Sequence, residues 1–127
     1  MEQILASAAT APIDVDMSNF MAEVVEGSSQ IPVIVQFWAP WCGPCKQLGP
    51  VLEKVVSAAH GKVKMVRVNI DDNQQIAQQL RVQSVPTVYA FVDGQPVDGF
   101  SGAQPESALT QFVEKLSSMG GAGADNA

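Results

Sequence analysis

The amino-acid sequence predicts an α/β fold, a mixed β-sheet with helices on both faces, and three stretches carry that reading. Residues 31–38 are apolar and β-branched with no glycine, as a buried parallel strand is. Leu48, Val51, Leu52, Val55, Val56 and Ala59 then recur at intervals of three and four, the buried face of a helix. Asp93-Gly94, set between two strand-like runs, is a tight hairpin sequence, so the last two strands must pair antiparallel. At 127 residues and 46% hydrophobic content the chain has enough apolar material for one domain with its own core.

In chain order, residues 1–11 are Ala/Ser-rich and aperiodic and read as a flexible leader. They carry an acidic residue, Glu2, straight after Met1 and lack both a basic start and all but a trace of an apolar stretch, unlike a secretory signal. Residues 12–15 predict a short strand. Residues 16–26 predict a helix capped by Asp16 or Ser18, with Phe20, Met21, Val24 and Val25 inward and Gly27 as its stop. After a loop over 28–32 comes the strand 33–38, then the helix already described, ended by Gly61. Residues 62–69 alternate polar with apolar side chains, a strand with one well-buried face. A cap at 71–73 leads into a short helix over 74–80 with Ile76, Ala77 and Leu80 inward. Strands follow at 87–92 and 96–100. Pro105, at a first helical position, opens a last helix whose stripe is Leu109, Phe112, Val113 and Leu116. The Gly/Ala-rich residues 119–127 read as a flexible tail or linker, which bounds the domain at 12–118.

Seven basic residues against 13 acidic give a net charge of −6, and no Lys/Arg cluster would attract nucleic acid or an anionic membrane. The longest apolar run is far too short to span a bilayer. The expectation is a cytoplasmic monomer, and in that compartment a cysteine pair is more often catalytic than structural.

Both cysteines lie in Trp41-Cys42-Gly43-Pro44-Cys45-Lys46, at the junction of strand 33–38 with the helix after it. Cys42 falls at the helix N-terminus, where free N–H groups and the macrodipole favour a thiolate. Cys45, one turn on, is near enough to close a disulfide, and Pro44 suits a first helical turn because it has no N–H to lose. A Cys-x-x-Cys is also half of a zinc site, but there is no second cysteine pair and the lone His60 stands beside Gly61 at a helix end, so no metal is expected.

These residues, with Pro50 inside the helix and Ser84-Val85-Pro86-Thr87 downstream, resemble the thioredoxin family over residues 13–116. The resemblance implies a five-stranded mixed sheet, a cis Pro86 beside the cysteines where composition alone would allow a trans proline on an edge strand, and no cofactor beyond the cysteine pair. It implies a thiol–disulfide oxidoreductase with protein disulfide or thiol substrates and a thioredoxin reductase, or another thiol donor, as reductant. Cys42 would be the nucleophile and Cys45 the resolving thiol. Trp41, Gly43, Pro44, Val85, Pro86 and Gly102 would form the surface for the substrate chain. Trp38 reads as packing, whereas Trp41, between Pro40 and a redox cysteine, has no periodic core slot and reads as facing substrate. Residues 86–89, 93–100 and 102–106 are more similar to the thioredoxin domain of the YbbN/CnoX chaperedoxins, in which helical repeats follow and chaperones are partners; the alternative function is therefore a co-chaperone domain that holds clients by mixed disulfide.

One position departs from the family. The residue before Phe37-Trp38 would be a buried aspartate with a lysine near it on the next strand; here they are Gln36 and Arg67. Glutamine takes up no proton at physiological pH, which argues for slow turnover.

Overall fold

The computed structural model describes residues 12–125, and side chains as far as Met119. Its elements are β1 (Ile13–Asp14), a helix α1 (Met21–Glu26), β2 (Val33–Trp38), α2 (Gly43–Ala58), β3 (Lys64–Asn69), α3 (Gln74–Gln79), β4 (Thr87–Val92), β5 (Gln95–Ser101) and α4 (Glu106–Asp125). One five-stranded sheet runs in the order β1-β3-β2-β4-β5. β3 pairs parallel with β1 and β2, while β4 pairs antiparallel with β2 and β5. The predicted α/β class and mixed sheet are therefore what the chain forms.

β2 lies at the centre and buries both faces, which is why its sequence runs apolar without alternation. Its even positions face α2 and α4, where Ile34 joins Leu48, Leu52, Val55, Met65, Val88, Leu109 and Leu116. Its odd positions face α1 and α3, where Val33, Val35 and Phe37 join Val24, Val66, Val68 and Ile76. β3 corrects the reading of one buried face. Flanked by β1 and β2, it buries Met65 on one side and Val66 and Val68 on the other.

α1 departs most from expectation. It is wound as a π-helix and followed by a 3₁₀ turn, Gly27–Ser29, so Gly27 does not stop the chain's coiling. The Gly27 N–H donates to the Ala22 and Val24 carbonyls, and Lys64 Nζ donates to the Glu23 carbonyl at 3.1 Å. The entry differs from the expectation of a helix from residue 16 capped by Asp16 or Ser18. The helix begins at Met21 with Phe20 as its N-cap and no side-chain cap. Asp16 and Ser18 lie in the turn before it, where Asp16 Oδ1 accepts from the amide and hydroxyl of Ser18 and the Asp16 amide donates to Asn19 Oδ1. The Ser18 hydroxyl holds the Asp16 carboxyl below its usual pKa. Met21, expected inward, is 60% exposed.

The hairpin reading stands: Asp93 and Gly94 both have positive φ, 53° and 79°, as a two-residue turn matching strand twist requires. The leader 1–11 lies outside the described residues. α4 begins at Glu106, one residue after Pro105, and its backbone continues to Asp125 through part of the run read as a tail.

Candidate functional site

β2 ends at Trp38, and the chain turns through Ala39-Pro40-Trp41 into α2, with the Cys42 amide donating to the Ala39 carbonyl at 3.0 Å. Cys42 is the N-cap of α2 with extended backbone, and its Sγ accepts from the Cys45 amide at 3.1 Å. Cys45 lies in the first turn, and the two are joined as a disulfide with Cα atoms 5.4 Å apart. A sulfur that already receives an N–H at a helix N-terminus is in the surroundings that stabilise a thiolate. Burial does not distinguish the two residues, which are 3% and 5% exposed.

Around the pair, Trp41 is 67% exposed, and Gly43 and Pro44 are exposed beside it. The Trp41 indole N–H donates to the Asp71 carboxylate, 3.1 Å from Oδ2 and 3.3 Å from Oδ1. Val85, half-buried, packs against Ala39, Cys42 and Cys45. The Val85-Pro86 peptide is cis, as the resemblance implied, and the Pro86 carbonyl accepts from the Gly102 amide at 2.9 Å. Gly102 has φ +83°, a conformation that favours glycine. The loop before β4 and the loop after β5 thus converge on the end of β2.

Beneath the pair, Gln36 and Arg67 are cross-strand partners of β2 and β3. Gln36 is fully buried. The Arg67 guanidinium stacks over the Trp38 ring at 4.3 Å, and Trp38 packs against the cysteine cluster. Trp38 thus packs as read, but with a cation behind it. Among the described residues, the buried side-chain nitrogen and oxygen atoms without a partner are Gln36 Nε2 and Oε1, Trp38 Nε1 and Arg67 Nε. An unpartnered buried polar group costs about 1–3 kcal/mol.

The sequence reading missed two residues here, Asp71 and Gly49. Asp71 was read only as part of a cap. Gly49 faces the Gln36 amide from inside α2, and a glycine in a helix interior is a costly choice that could have drawn notice. No group of three or more His, Cys, Asp or Glu able to hold a metal occurs among the described residues. No helix there is long and apolar enough to cross a membrane. A hollow of about 810 Å³ between α2 and α4, lined by Lys54, His60 and Glu106 among others, lies toward the end of α2 away from the cysteines.

A family model described as Thioredoxin matches residues 11–115. The chain is 44% identical over 106 residues to thioredoxin 1 of Nostoc sp., covering 84% of this chain and 97% of that protein. It is 50% identical over 101 residues to the mitochondrial thioredoxin of Bos taurus, covering 80% of this chain and 60% of that protein. Among solved structures, Malassezia sympodialis thioredoxin (Mala s 13) superimposes with a TM-score of 0.75 at 35% identity, covering 84% of this chain and 91% of that one.

Proposed function

We propose, on the premise that this chain belongs to the thioredoxin family and is a thiol–disulfide oxidoreductase, that Cys42 is its nucleophile and Cys45 its resolving thiol. The observation that carries the assignment is the N-cap position of Cys42, with the Cys45 amide donating to its sulfur. In the reduced protein the Cys42 thiolate attacks one sulfur of a client disulfide. That bond breaks, the other client sulfur leaves as a thiolate and takes up a proton, and a mixed disulfide with Cys42 remains. Cys45 then loses its proton and attacks Cys42 Sγ, the second client thiolate departs, and the Cys42–Cys45 disulfide forms. Two electrons have passed to the client. A thiol donor, by family a thioredoxin reductase, returns them.

The client surface we assign to Trp41, Gly43, Pro44, Val85, Pro86 and Gly102, with an extended client segment pairing to the backbone beside Pro86. The exposure of Trp41 and the packing of Val85 on the pair support this reading. The working unit is residues 12–118 acting as a monomer in a reducing compartment, the cytoplasm. Its chemistry uses only the two sulfurs, so neither cofactor nor metal enters, and protein clients rather than nucleic acid or membrane are its partners. Replacing Cys45 by Ala tests the roles: Cys45→Ala should trap clients that dithiothreitol releases, and Cys42→Ala should trap none. Equal trapping by the two variants would overturn the assignment.

A second reading, a chaperedoxin-like domain that holds clients for chaperones, is favoured by Gln36, which stands buried where a proton-accepting carboxylate would serve Cys45. It expects resolution of the mixed disulfide to be slow relative to its formation, and single-turnover kinetics that find resolution the faster step would exclude it.

A further inference from the structure

We propose that Tyr89 is a positioning residue for client capture: its hydroxyl ties the loop that carries Val85-Pro86 to the sheet, so that this surface is set before a client arrives. The proposal rests on the assignment of Val85 and Pro86 to the client surface. Residues 81–86 connect α3 to β4, and Leu80 is the C-cap of α3. The Tyr89 hydroxyl donates to the Leu80 carbonyl at 2.8 Å. On the same strand the Thr87 hydroxyl donates to the Ser84 carbonyl at 2.7 Å. Thr87 and Tyr89 stand on one face of β4, so that face holds the loop near both of its ends.

The way α3 ends gives the tether its place. The Arg81 amide donates to the Gln78 carbonyl and the Val82 amide to the Ala77 carbonyl, the closing pattern of a helix whose next residue turns left-handed. That residue is Arg81, with φ +59°, at a position where glycine is usual. A left-handed residue with a side chain is strained and persists where its surroundings hold it. The two amides satisfy the carbonyls of residues 77 and 78, and the C-cap carbonyl of Leu80 goes to Tyr89.

The ring is seated for this bond. It packs edge-on against Phe37 of β2, with ring centroids 5.9 Å apart and planes at 80°. Opposite it on β5 stands Gly99, where a Cβ would come within 2.8 Å of the ring. Glycine inside a strand gives up side-chain packing, and here its bare backbone leaves the place that the ring occupies. Leu80, Val82, Val85 and Tyr89 all pack on the core cluster that contains Phe37, and Val85 packs on the cysteine cluster as well. Val85 is thus the link between the tethered loop and the cysteines.

An extended client segment pairs with backbone only where that backbone stands in one place. A loop fixed in advance spares the client the cost of ordering it. When only a fraction of the molecules hold the loop in place, apparent affinity falls by that fraction. Tyr89 lies outside the cluster around the cysteines, so exchange with a disulfide too small to lie along the loop does not depend on it.

The test compares Tyr89→Phe and Trp41→Ala with the native protein, each reduced and then oxidised by insulin or by hydroxyethyl disulfide, which has no chain to lay along the loop. Tyr89→Phe keeps the ring on Phe37 and removes only the oxygen. Amide hydrogen exchange at Arg81 and Val82 should quicken by about 3- to 10-fold, what one hydrogen bond contributes to an equilibrium. Oxidation by insulin should slow by about 2- to 5-fold, less than the exchange because the loop is released only part of the time. Oxidation by hydroxyethyl disulfide should keep its native rate. Native rates with both oxidants would overturn the tether, and so would equal slowing with both. If the tether fails in either way while Trp41→Ala slows insulin alone, the tether is overturned by itself. If neither variant separates insulin from the small disulfide, the client surface is overturned, and the tether with it.

Discussion

Cys42 and Cys45 are buried almost equally, so access does not set the proposed nucleophile apart from the resolving thiol, and the proposed roles rest on ionisation. Only Cys42 caps the helix and receives an amide N–H on its sulfur. Brief iodoacetamide treatment of the reduced protein near neutral pH should therefore alkylate Cys42, and mass spectrometry finding the label mainly on Cys45 would contradict this. Trp41 shows a second residue-scale effect, because an indole 67% exposed is held by a single carboxylate, Asp71. Asp71→Ala should free the indole, shift its fluorescence and weaken capture of clients by the Cys45→Ala variant; unchanged emission would show that Asp71 does not fix it. The cysteines, Trp41 and Pro86 were legible because one short motif and one Val-Pro-Thr carry them. Asp71 and Gly49 were not, because their partners sit 30 residues away and across the helix–sheet interface.

At the scale of elements, periodicity, composition and turn signals marked all five strands and α1 to α4 but missed the 3₁₀ turn at Gly27–Ser29, and they failed where long-range contacts set the backbone. The π winding of α1 is not announced by anything within residues 16–26, and the Glu23 carbonyl in it accepts from Lys64, 41 residues away. The double burial of β3 depends on its neighbours in the sheet. β5 carries a tighter constraint than its exposed, polar sequence indicates. A Cβ on Gly99 would stand 2.8 Å from both Tyr89 Cδ1 and the Val88 carbonyl oxygen, one a ring that packs edge-on against Phe37, the other backbone. Neither can move cheaply. Gly99→Ala should destabilise by about 1–3 kcal/mol, as overpacking does. Urea unfolding would register this as a lower midpoint with an unchanged slope, and an unmoved midpoint would mean that the hairpin yields freely.

For the molecule as a whole, the strand order was the least legible feature, since β1 and β2 flank β3 through pairings that no local pattern encodes. That order nevertheless locates the chemistry. β2 ends between β3, which runs parallel to it, and β4, which runs antiparallel, so the turn carrying Cys42 emerges where the connections on either side diverge. The α2 and α4 side of the sheet separates stability from chemistry. Leu109 and Leu116 on α4 are fully buried against the sheet and α2, and neither belongs to the cluster around the cysteines. Leu109→Ala should cost about 2–5 kcal/mol through lost burial and the cavity left behind. In a domain of this size that lowers the melting temperature by roughly 10 °C or more. At 25 °C the folded fraction should still reduce insulin near the native rate, because no group that touches the sulfurs has moved. A melting temperature within about 2 °C of native, less than 1 kcal/mol would produce, would show that α4 is dispensable to the core. Full stability with lost activity would show that the far side of the sheet is coupled to the cysteines.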